Sequence, residues 1–252
     1  MELARGEFGR LADWIGDTPE SAISRHLLAR GLARAYIASG AGCIVAALVQ
    51  ATGDPGEPVG FGSDGRALWA LLREASGWFC VSVSADAAPA LGALMATETG
   101  KPVRYYGDVY HVLTAPAVEC PHEAVRRLDL ADVGLLAAAR PALRVSGWGN
   151  DERLLAEGIA AGAVVDGRLV AVAATSARTE RHADIAVATV EAMHGRGLAT
   201  AAASLVARAV QDAGQTPVWS AGEGNLASLR VARKLGFVEI GRRVYVIREG
   251  IA

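Results

Sequence analysis

The segment His194-Gly195-Arg196-Gly197-Leu198-Ala199 decides the fold that this sequence predicts. An alternating, β-branched run from Asp184 to Val190 precedes it and is typical of a strand, and an alanine-rich stretch from Leu198 to Gln211 follows it and is typical of a buried helix. Gly195 and Gly197 are therefore predicted to lie in a strand-to-helix turn, where glycine lets a ligand approach the backbone. The first amides of a helix lack partners within the helix, and the helix dipole favours anions there. The segment predicts a site that fits a pyrophosphate.

A second segment strengthens this interpretation, because a glycine turn that merely joins a strand to a helix would explain the first segment alone. The strand-like run Pro217–Ser220 is followed by Asn225, which can cap a helix that continues to Leu235. Gly236 is suited to end that helix, and Phe237-Val238-Glu239-Ile240 resumes as a strand. The two segments together favour a ligand site.

These segments resemble the GNAT superfamily of acyl-CoA-dependent N-acyltransferases. The pyrophosphate loop of that family follows the pattern Gln/Arg-x-x-Gly-x-Gly/Ala, which Gly197 and Ala199 match, with His194 in place of the usual Gln or Arg. A later family pattern, Asn-x-x-Ala/Ser-x-x-x-Tyr/Ala-x-Lys-x-Gly-Phe, is matched by Asn225, Ser228, Ala232, Lys234, Gly236 and Phe237. The resemblance covers about Val125 to Val246 and implies an α/β (α+β) fold with a mixed central sheet of GNAT type. The motifs are specific for the fold and not for a substrate.

Other patterns in this half agree with that fold. The run from Val125 to Asp132 looks like the family's first strand entering its first helix. Asp166-Gly167 predicts a tight hairpin turn between two strands, since this dipeptide readily takes positive φ angles. Residues Asp151 to Glu157 predict a short helix, and the resemblance implies that this region and the loop Ser146 to Asn150 shape the acceptor pocket.

The chain has 252 residues, which is long for one such domain, so the sequence predicts two domains, residues 1–120 and 121–252. Pro116 and Pro121 interrupt the pattern at the boundary. The N-terminal half also reads as α/β and looks like a smaller, degenerate GNAT copy, as in the glycine N-acyltransferase-like and zwittermicin-resistance-like branches. We expect this half to carry no cofactor and to cover one side of the acceptor cleft. Its predicted elements are strands at Cys43–Val49, Trp78–Val83 and Val103–Leu113, and helices from Asp17 to about Ile37, at Asp64–Ala75 and at Ala87–Glu98.

The resemblance implies acetyl-CoA, or another acyl-CoA, as the acyl donor and a small-molecule primary amine that attacks it directly in a ternary complex. Strand edges would pair with the pantetheine amides, the Val190 amide would polarise the thioester carbonyl, and the loop amides would hold the pyrophosphate. Arg230 and Arg233 could contact phosphates, although solvated helix faces explain them equally well. The residues predicted to bind the cofactor are Thr189, Val190, Glu191, His194, Gly195, Arg196, Gly197, Leu198, Ala199, Thr200, Asn225 and Ser228.

Catalysis also requires a group that takes a proton from the ammonium. Asp184 is the first candidate, at the start of the strand where some family members place a catalytic carboxylate, and its alternative interpretation is an exposed residue at a strand entrance. Glu191 and Glu223 are the other candidates. Many family members carry a tyrosine acid where this chain has Ala232, so the leaving thiolate must be served by Tyr245 or Ser228, by water, or by no protein acid.

Composition limits the other classes of function that this chain could have. The formal net charge of −2 and pI near 6.2 give no basic footprint for nucleic acid or an anionic membrane. The apolar runs are too short to cross a bilayer, so the expected location is the cytoplasm, and a homodimer is left open. Cys43, Cys80 and Cys120 are expected to be buried free thiols rather than a disulfide or a nucleophile. No metal is predicted, because the five histidines show no spacing for zinc.

Two other functions remain open at this point. The first is a CoA-binding regulatory or scaffold protein of GNAT fold that has lost turnover. The second is a nucleotide-binding α/β domain, which would need a further glycine and a ribose-binding acid that are not evident. The acceptor is equally open among amino acids, polyamines, antibiotics, aminoacyl-adenylates and protein N-termini.

Overall fold

The chain forms two compact units in the computed structural model, which describes residues 1–249. Unit 1 comprises Met1–Val109 together with Gly241–Ala252, and unit 2 comprises Tyr110–Ile240. The predicted division into domains of residues 1–120 and 121–252 stays a prediction.

Unit 1 contains an α/β arrangement whose strands follow the order β1-β2-β3-β4-β11-β5. The pairs β1–β2, β2–β3 and β4–β11 are antiparallel, and β3 and β4 are parallel. Its elements are α1 (Phe8–Ile15), α2 (Ala22–Ala29), β1 (Ala33–Gly40), β2 (Cys43–Ala51), β3 (Val59–Phe61), α3 (Gly65–Glu74), β4 (Cys80–Ser84), α4 (Ala88–Thr99), β5 (Val103–Val112) and the end of β11 (Val238–Arg248).

Both faces of the unit 1 sheet are covered, because alternate residues of a strand point to opposite faces. In β2, Leu48 packs with α3 and α4 residues such as Leu68 and Leu91. Its neighbour Val49 packs with residues of α1 and α2 such as Leu11. The near-continuous apolar run of β2 follows from this burial on two sides.

The predicted helix from Asp17 to Ile37 is wrong beyond Ala29. A short 3-10 helix, Pro19–Ser21, leads into α2, and the chain then turns at Gly31, whose φ is +64°. Residues from Ala33 onward pair with β2, with Tyr36 opposite Leu48. The alternating run of β1 satisfies its backbone in the sheet, and this tertiary pairing overrides the helix propensity of its alanines.

Unit 2 is built on strands in the order β10-β9-β8-β7-β6. These strands are antiparallel except for β9 and β10, which are parallel. Its elements are β6 (Val125–Leu128), α5 (Val133–Ala137), α6 (Asp151–Glu157), β7 (Ala160–Val165), β8 (Arg168–Arg178), β9 (His182–Thr189), α7 (Leu198–Asp212), β10 (Thr216–Gly222), α8 (Leu226–Lys234) and the start of β11.

Local sequence explains several of these boundaries, and the structure confirms the corresponding predictions. Asp166 and Gly167 take φ angles of +50° and +71° in the two-residue turn between β7 and β8. The Asn150 side chain accepts a hydrogen bond from Arg153 N at 2.8 Å and so caps α6, which spans the predicted residues. The α/β fold class is confirmed by these elements.

Unit 2 also has helices on both faces of its sheet. Leu198, at the start of α7, packs with Ala171 of β8. Val172, the next residue of β8, packs with Leu136, Trp148 and Leu154 on the other face. The face with Trp148 carries the loop Ser146 to Asn150, for which the family resemblance implies a role in shaping an acceptor pocket.

One succession of elements occurs twice along the chain. Three strands, a helix, a strand, a helix and a strand follow one another as β1-β2-β3-α3-β4-α4-β5 and as β7-β8-β9-α7-β10-α8-β11. The position of α7 in unit 2 therefore corresponds to that of α3 in unit 1.

The three cysteines are free thiols in different environments. Cys43 is exposed as the first residue of β2, which corrects the expectation that it is buried, and Cys120 is partly buried. Cys80 is buried in β4, and burial raises the pKa of its thiol to about 12. Among residues 1–249, no helix is both long enough and apolar enough to cross a bilayer.

Candidate functional site

Strands β9 and β10 pair only near their beginnings. Their parallel register covers Thr216 with His182, Pro217 with Ala183, and Val218 with Asp184. Beyond these pairs β9 continues to Thr189 and β10 continues to Gly222. The far part of β9 therefore has an edge toward β10 that carries no strand partner in the described register.

The backbone groups on that edge can be assigned from the pairing with β8. Val190 N donates to Val170 O at 2.9 Å, and Ala188 lies opposite Val172. Peptide groups alternate between the two edges of an antiparallel strand. The amides of Val187 and Thr189 thus point to the edge that faces β10, whereas the Val190 amide is used in bonding to β8.

The turn after β9 leads directly into α7. A short 3-10 helix, Glu191–Met193, is followed by Gly195 and Gly197, with φ angles of +76° and +80°. Gly197 is the N-cap residue of α7, and within the described chain no side chain caps this helix. The first helical bond to Gly197 O comes from Ala201 N at 3.0 Å. The amides of residues 198–200, here called the helix-start amides, consequently lack partners within the helix.

Open space surrounds the two glycines of this turn. A Cβ built on Gly195 or Gly197 would meet no described atom within 4 Å. The helix-start amides, the helix dipole and this open space together form a site that favours an anion. The predicted strand-to-helix turn is confirmed, and its electrostatics fit a phosphate group.

His194 is held within the turn by one hydrogen bond. Its Nε2 lies 2.9 Å from Thr189 O. A carbonyl oxygen can only accept a hydrogen bond, so Nε2 of His194 carries the proton in this contact. The ring itself is exposed, and Nδ1 takes no part in the contact. The Thr189 hydroxyl is buried without a hydrogen-bond partner in the described chain. Arg196, between the two glycines, is exposed.

The start of α8 is capped by Asn225 and is joined to β10 by one side-chain hydrogen bond. Asn225 caps the helix, since its Oδ1 accepts a hydrogen bond from Ser228 N at 3.1 Å. Trp219 Nε1 donates to Ser228 Oγ at 2.9 Å, and the Trp219 ring packs edge-on against Phe237 with a centroid distance of 5.4 Å. Gly236, with a φ of +90°, follows the helix as predicted.

Asp184 lies inside the unit and not at an exposed strand entrance. Its side chain is 5% exposed, and Ser176 Oγ donates to its Oδ2. Ser176 is the extra residue of a bulge in β8, where the register passes from Thr175–Ile185 to Ala177–Asp184. A bulge redirects a side chain, and here it directs the serine to the carboxylate.

Ser176 is a candidate site residue that sequence reasoning missed. A bulge leaves no clear sequence signal, because an alternating run reads the same with or without one extra residue. The loop before α6 approaches Ser176 closely, since a Cβ on Gly147 would lie 2.0 Å from Ser176 O. Trp148 Nε1 donates to Thr175 O at 2.6 Å and fixes the same loop to β8.

The structure places the other predicted groups as follows. Glu191 begins the 3-10 turn after β9 and is exposed, and Glu223 is exposed between β10 and α8. Arg230 and Arg233 are exposed on α8. Tyr245 belongs to unit 1, where β11 places it opposite Ser82 of β4. Burial, followed by nearby acidic groups, raises the pKa of Tyr245 far above its usual range, and its hydroxyl is hydrogen-bonded to Glu57.

The corresponding helix start in unit 1 is built differently. Asp64 caps α3, and its Oδ1 accepts hydrogen bonds from Arg66 N at 2.9 Å and Ala67 N at 3.1 Å. A Cβ on Gly65 would lie 2.7 Å from Leu91 N, so this glycine allows close packing of α3 on α4. A carboxylate already neutralises the start of this helix.

Strands β3 and β4, which correspond to β9 and β10, are bridged by a buried arginine. In their parallel register Val59 lies opposite Ser82. Arg243 Nη2 donates to Gly60 O at 2.6 Å and to Ser82 O at 2.9 Å, and its Nε donates to Ser82 Oγ at 3.0 Å. The guanidinium joins a carbonyl of each strand and fills the space between them.

Comparison with known proteins assigns the fold of this site. Residues 127–244 match the sequence model of the GNAT acetyltransferase family. This match begins within β6, ends within β11 and includes both glycine segments. No curated protein is similar to this chain in sequence at a significant level.

Solved structures are similar over nearly the whole chain. A GCN5-related N-acetyltransferase-like protein from Streptococcus suis has 20% identity and a TM-score of 0.70, covering 97% of this chain and 99% of its own. A GCN5-related N-acetyltransferase from Kribbella flavida has 18% identity and a TM-score of 0.62, covering 92% and 95%. A tandem GNAT protein from the clavulanic acid biosynthesis pathway has 16% identity and a TM-score of 0.56, covering 100% and 98%. The chain has a GNAT fold.

Proposed function

We propose that this chain is an N-acyltransferase that transfers an acetyl or other acyl group from acyl-CoA to a primary amine. The observation that supports this most is the uncapped start of α7 beside the unpartnered edge of β9. The first is suited to a pyrophosphate and the second to the amides of a pantetheine arm. The family match of residues 127–244 supports the same chemistry.

Each part of the site would bind a different part of the donor molecule. The helix-start amides hold the pyrophosphate, with Arg196 and His194 close to it in the same turn. The edge of β9 from Val187 to Thr189 pairs with the pantetheine arm. Binding both reactants in one cleft then supplies much of the rate acceleration by orientation.

Polarisation of the thioester carbonyl requires an amide that points into the cleft. The family resemblance implies Val190 for this role, but its amide donates to Val170 O. The amides of Val187 and Thr189 face the β10 side, so we assign the role to one of these two. An amide that is already oriented stabilises the oxyanion without reorganisation during the reaction.

Asp184 remains the proposed general base. Its burial means that it reaches the amine through a water molecule rather than directly. The hydrogen bond from Ser176 orients its carboxylate. Glu191 and Glu223 are the exposed alternatives.

The proposal is tested by two measurements on the full chain. Calorimetry with acetyl-CoA should show binding, and release of free thiol in the presence of an amine panel should show turnover. Binding without thiol release from any amine would favour a CoA-binding regulatory or scaffold protein instead. Absence of binding would contradict both functions.

Unit 1 is proposed to be a degenerate copy of the same fold that binds no acyl-CoA. The repeated succession of elements supports the copy. Asp64 occupies the amides at the start of α3, and the Arg243 guanidinium occupies the gap between β3 and β4. Both parts of a donor site are therefore filled by side chains of the chain itself.

A further inference from the structure

The hydroxyl of Ser228, in the first turn of α8, accepts a hydrogen bond from a buried indole. Trp219 Nε1 donates to Ser228 Oγ at 2.9 Å. An indole N–H can only donate, so the serine oxygen is the acceptor of this bond and its own proton must point elsewhere. Within residues 1–249, no hydrogen bond donated by this hydroxyl to the protein is found. The serine is thus a prepared donor on a partly buried helix start.

The position of Ser228 relates it to the gap between β9 and β10. Trp219 directly follows Val218, which is the last β10 residue paired with β9. Through this contact Ser228 is attached to the first β10 residue beyond the paired segment. With the pyrophosphate at the start of α7 and the pantetheine arm along β9, the thioester would lie where the two strands cease to pair.

The two other positions considered for a proton donor, Ala232 and Tyr245, do not supply one here. Ala232 lies one turn further along the same face of α8, is fully buried and carries no proton to donate. Tyr245 belongs to unit 1, and its hydroxyl is hydrogen-bonded to Glu57.

We propose that Ser228 donates a hydrogen bond to the thioester sulfur and stabilises the leaving thiolate. This inference rests on the proposed acyl transfer and deepens it. The amine nitrogen forms a bond to the carbonyl carbon, the C–S bond breaks, and its electron pair stays on sulfur. The surplus proton of the amine leaves through the base. Ser228 keeps its own proton throughout, and the released thiolate takes a proton from solvent.

The test uses Ser228→Ala in the full chain, with two readouts. The value of kcat should fall about 10- to 100-fold, the range for loss of one hydrogen bond to a charged group, while the dissociation constant of acetyl-CoA changes little. The thiol of bound CoA, followed by its ultraviolet thiolate absorbance, should titrate about one pH unit higher than in the parent protein. Ser228→Thr, which keeps a hydroxyl, should restore both.

Loss of the serine also leaves the buried Trp219 N–H without its partner, which can lower stability. The double variant Trp219→Phe and Ser228→Ala removes both partners and should keep the kinetic defect in a stable protein. Thr97→Ala, on the exposed face of α4, is the control for removal of a helical hydroxyl.

An unchanged kcat and unchanged thiol titration in Ser228→Ala would overturn the role of Ser228 and leave acyl transfer standing. Weaker CoA binding without a thiol shift would overturn it too. Failure of the parent protein to bind CoA would instead overturn the proposed function.

Discussion

At the scale of single residues, a comparison of Gly197 with Gly214 distinguishes an effect on ligand binding from an effect on backbone strain. Gly197 and Gly214 lie at opposite ends of α7 with φ angles of +80° and +75°, and a Cβ on either would meet no described atom within 4 Å. Alanine at each position should therefore cost a similar 1–2 kcal/mol, roughly the penalty for a left-handed L-residue. Only Gly197 lies beside the helix-start amides.

We predict that Gly197→Ala weakens acetyl-CoA binding by at least about tenfold, because its Cβ enters the space proposed for the pyrophosphate. Gly214→Ala should lose comparable thermal stability and keep the parental affinity. Calorimetric titration and thermal unfolding of both variants provide the comparison. Equal affinities in the two variants would show that the anion site lies elsewhere.

The proposed base gives a second prediction at this scale. Asp184→Asn keeps an oxygen that can accept from Ser176 but cannot take a proton, so kcat should fall on the order of 10²-fold with an unchanged acetyl-CoA dissociation constant. The defect should shrink as pH rises, since more of the amine is then neutral and needs no base. Steady-state rates across a pH series measure this. A parental kcat at neutral pH would pass the role to Glu191, Glu223 or solvent.

At the scale of elements, the segment of residues 113–120 is fixed along α7. Gln211 Nε2 donates to Leu113 O and Ala115 O, at 3.3 and 2.7 Å, and its Oε1 accepts from Ala117 N at 2.9 Å. One or two turns earlier, Ser204 and Arg208 contact residues 118–120. The side chains at 204, 208 and 211 lie on one helical face, so the segment follows the helix that forms the proposed donor site.

We predict that Gln211→Ala frees this segment, because three hydrogen bonds to its backbone are lost together. The free energy of unfolding should decrease by about 1–3 kcal/mol, and limited proteolysis near residues 113–120 should become faster. Arg208→Ala is the milder comparison, since its ion pair with Glu119 is exposed and such pairs contribute little. Cleavage at the parental rate in Gln211→Ala would show that the segment is held by other contacts.

The elements also show what the sequence could reveal. The turn around Gly195 and Gly197, the cap at Asn225 and the hairpin at Asp166-Gly167 were predictable, because each depends on a few residues with local preferences. The strand β1 was missed because its pairing with β2 outweighs the helix propensity of its residues. The contact of Ser176 with Asp184 depends on a bulge and on another strand, and no local pattern encodes it.

At the scale of the whole molecule, the chain crosses between its units twice. Strand β11, Val238–Arg248, begins in unit 2 and ends in unit 1. No single boundary in the sequence can separate the two units, because segments from both ends of the chain belong to unit 1. Pattern reasoning found two α/β parts, and the membership of the last strand follows only from tertiary pairing.

We predict that each chain binds one acyl-CoA, since only unit 2 has an uncapped helix start at the corresponding position. Titration calorimetry with acetyl-CoA measures the number of sites. Asp64→Ala should lower stability by about 1 kcal/mol through loss of the cap and should still bind one molecule, because Arg243 continues to bridge β3 and β4. Asp64→Asn keeps a capping oxygen and serves as the control. Two sites per chain would contradict the assignment of unit 1.

The glycine at the start of α7 also affects how stable the protein is in the cell. Helices α3, α6 and α8 begin with Asp64, Asn150 and Asn225, each of which supplies a capping oxygen worth about 1 kcal/mol. Helix α7 forgoes this contribution. A donor bound at its start would replace the missing cap. At a donor concentration 100 times its dissociation constant, binding would increase the free energy of unfolding by about 2.7 kcal/mol. The lifetime of this protein would then follow the supply of its acyl donor, so that cells poor in acyl-CoA would hold less of the folded chain.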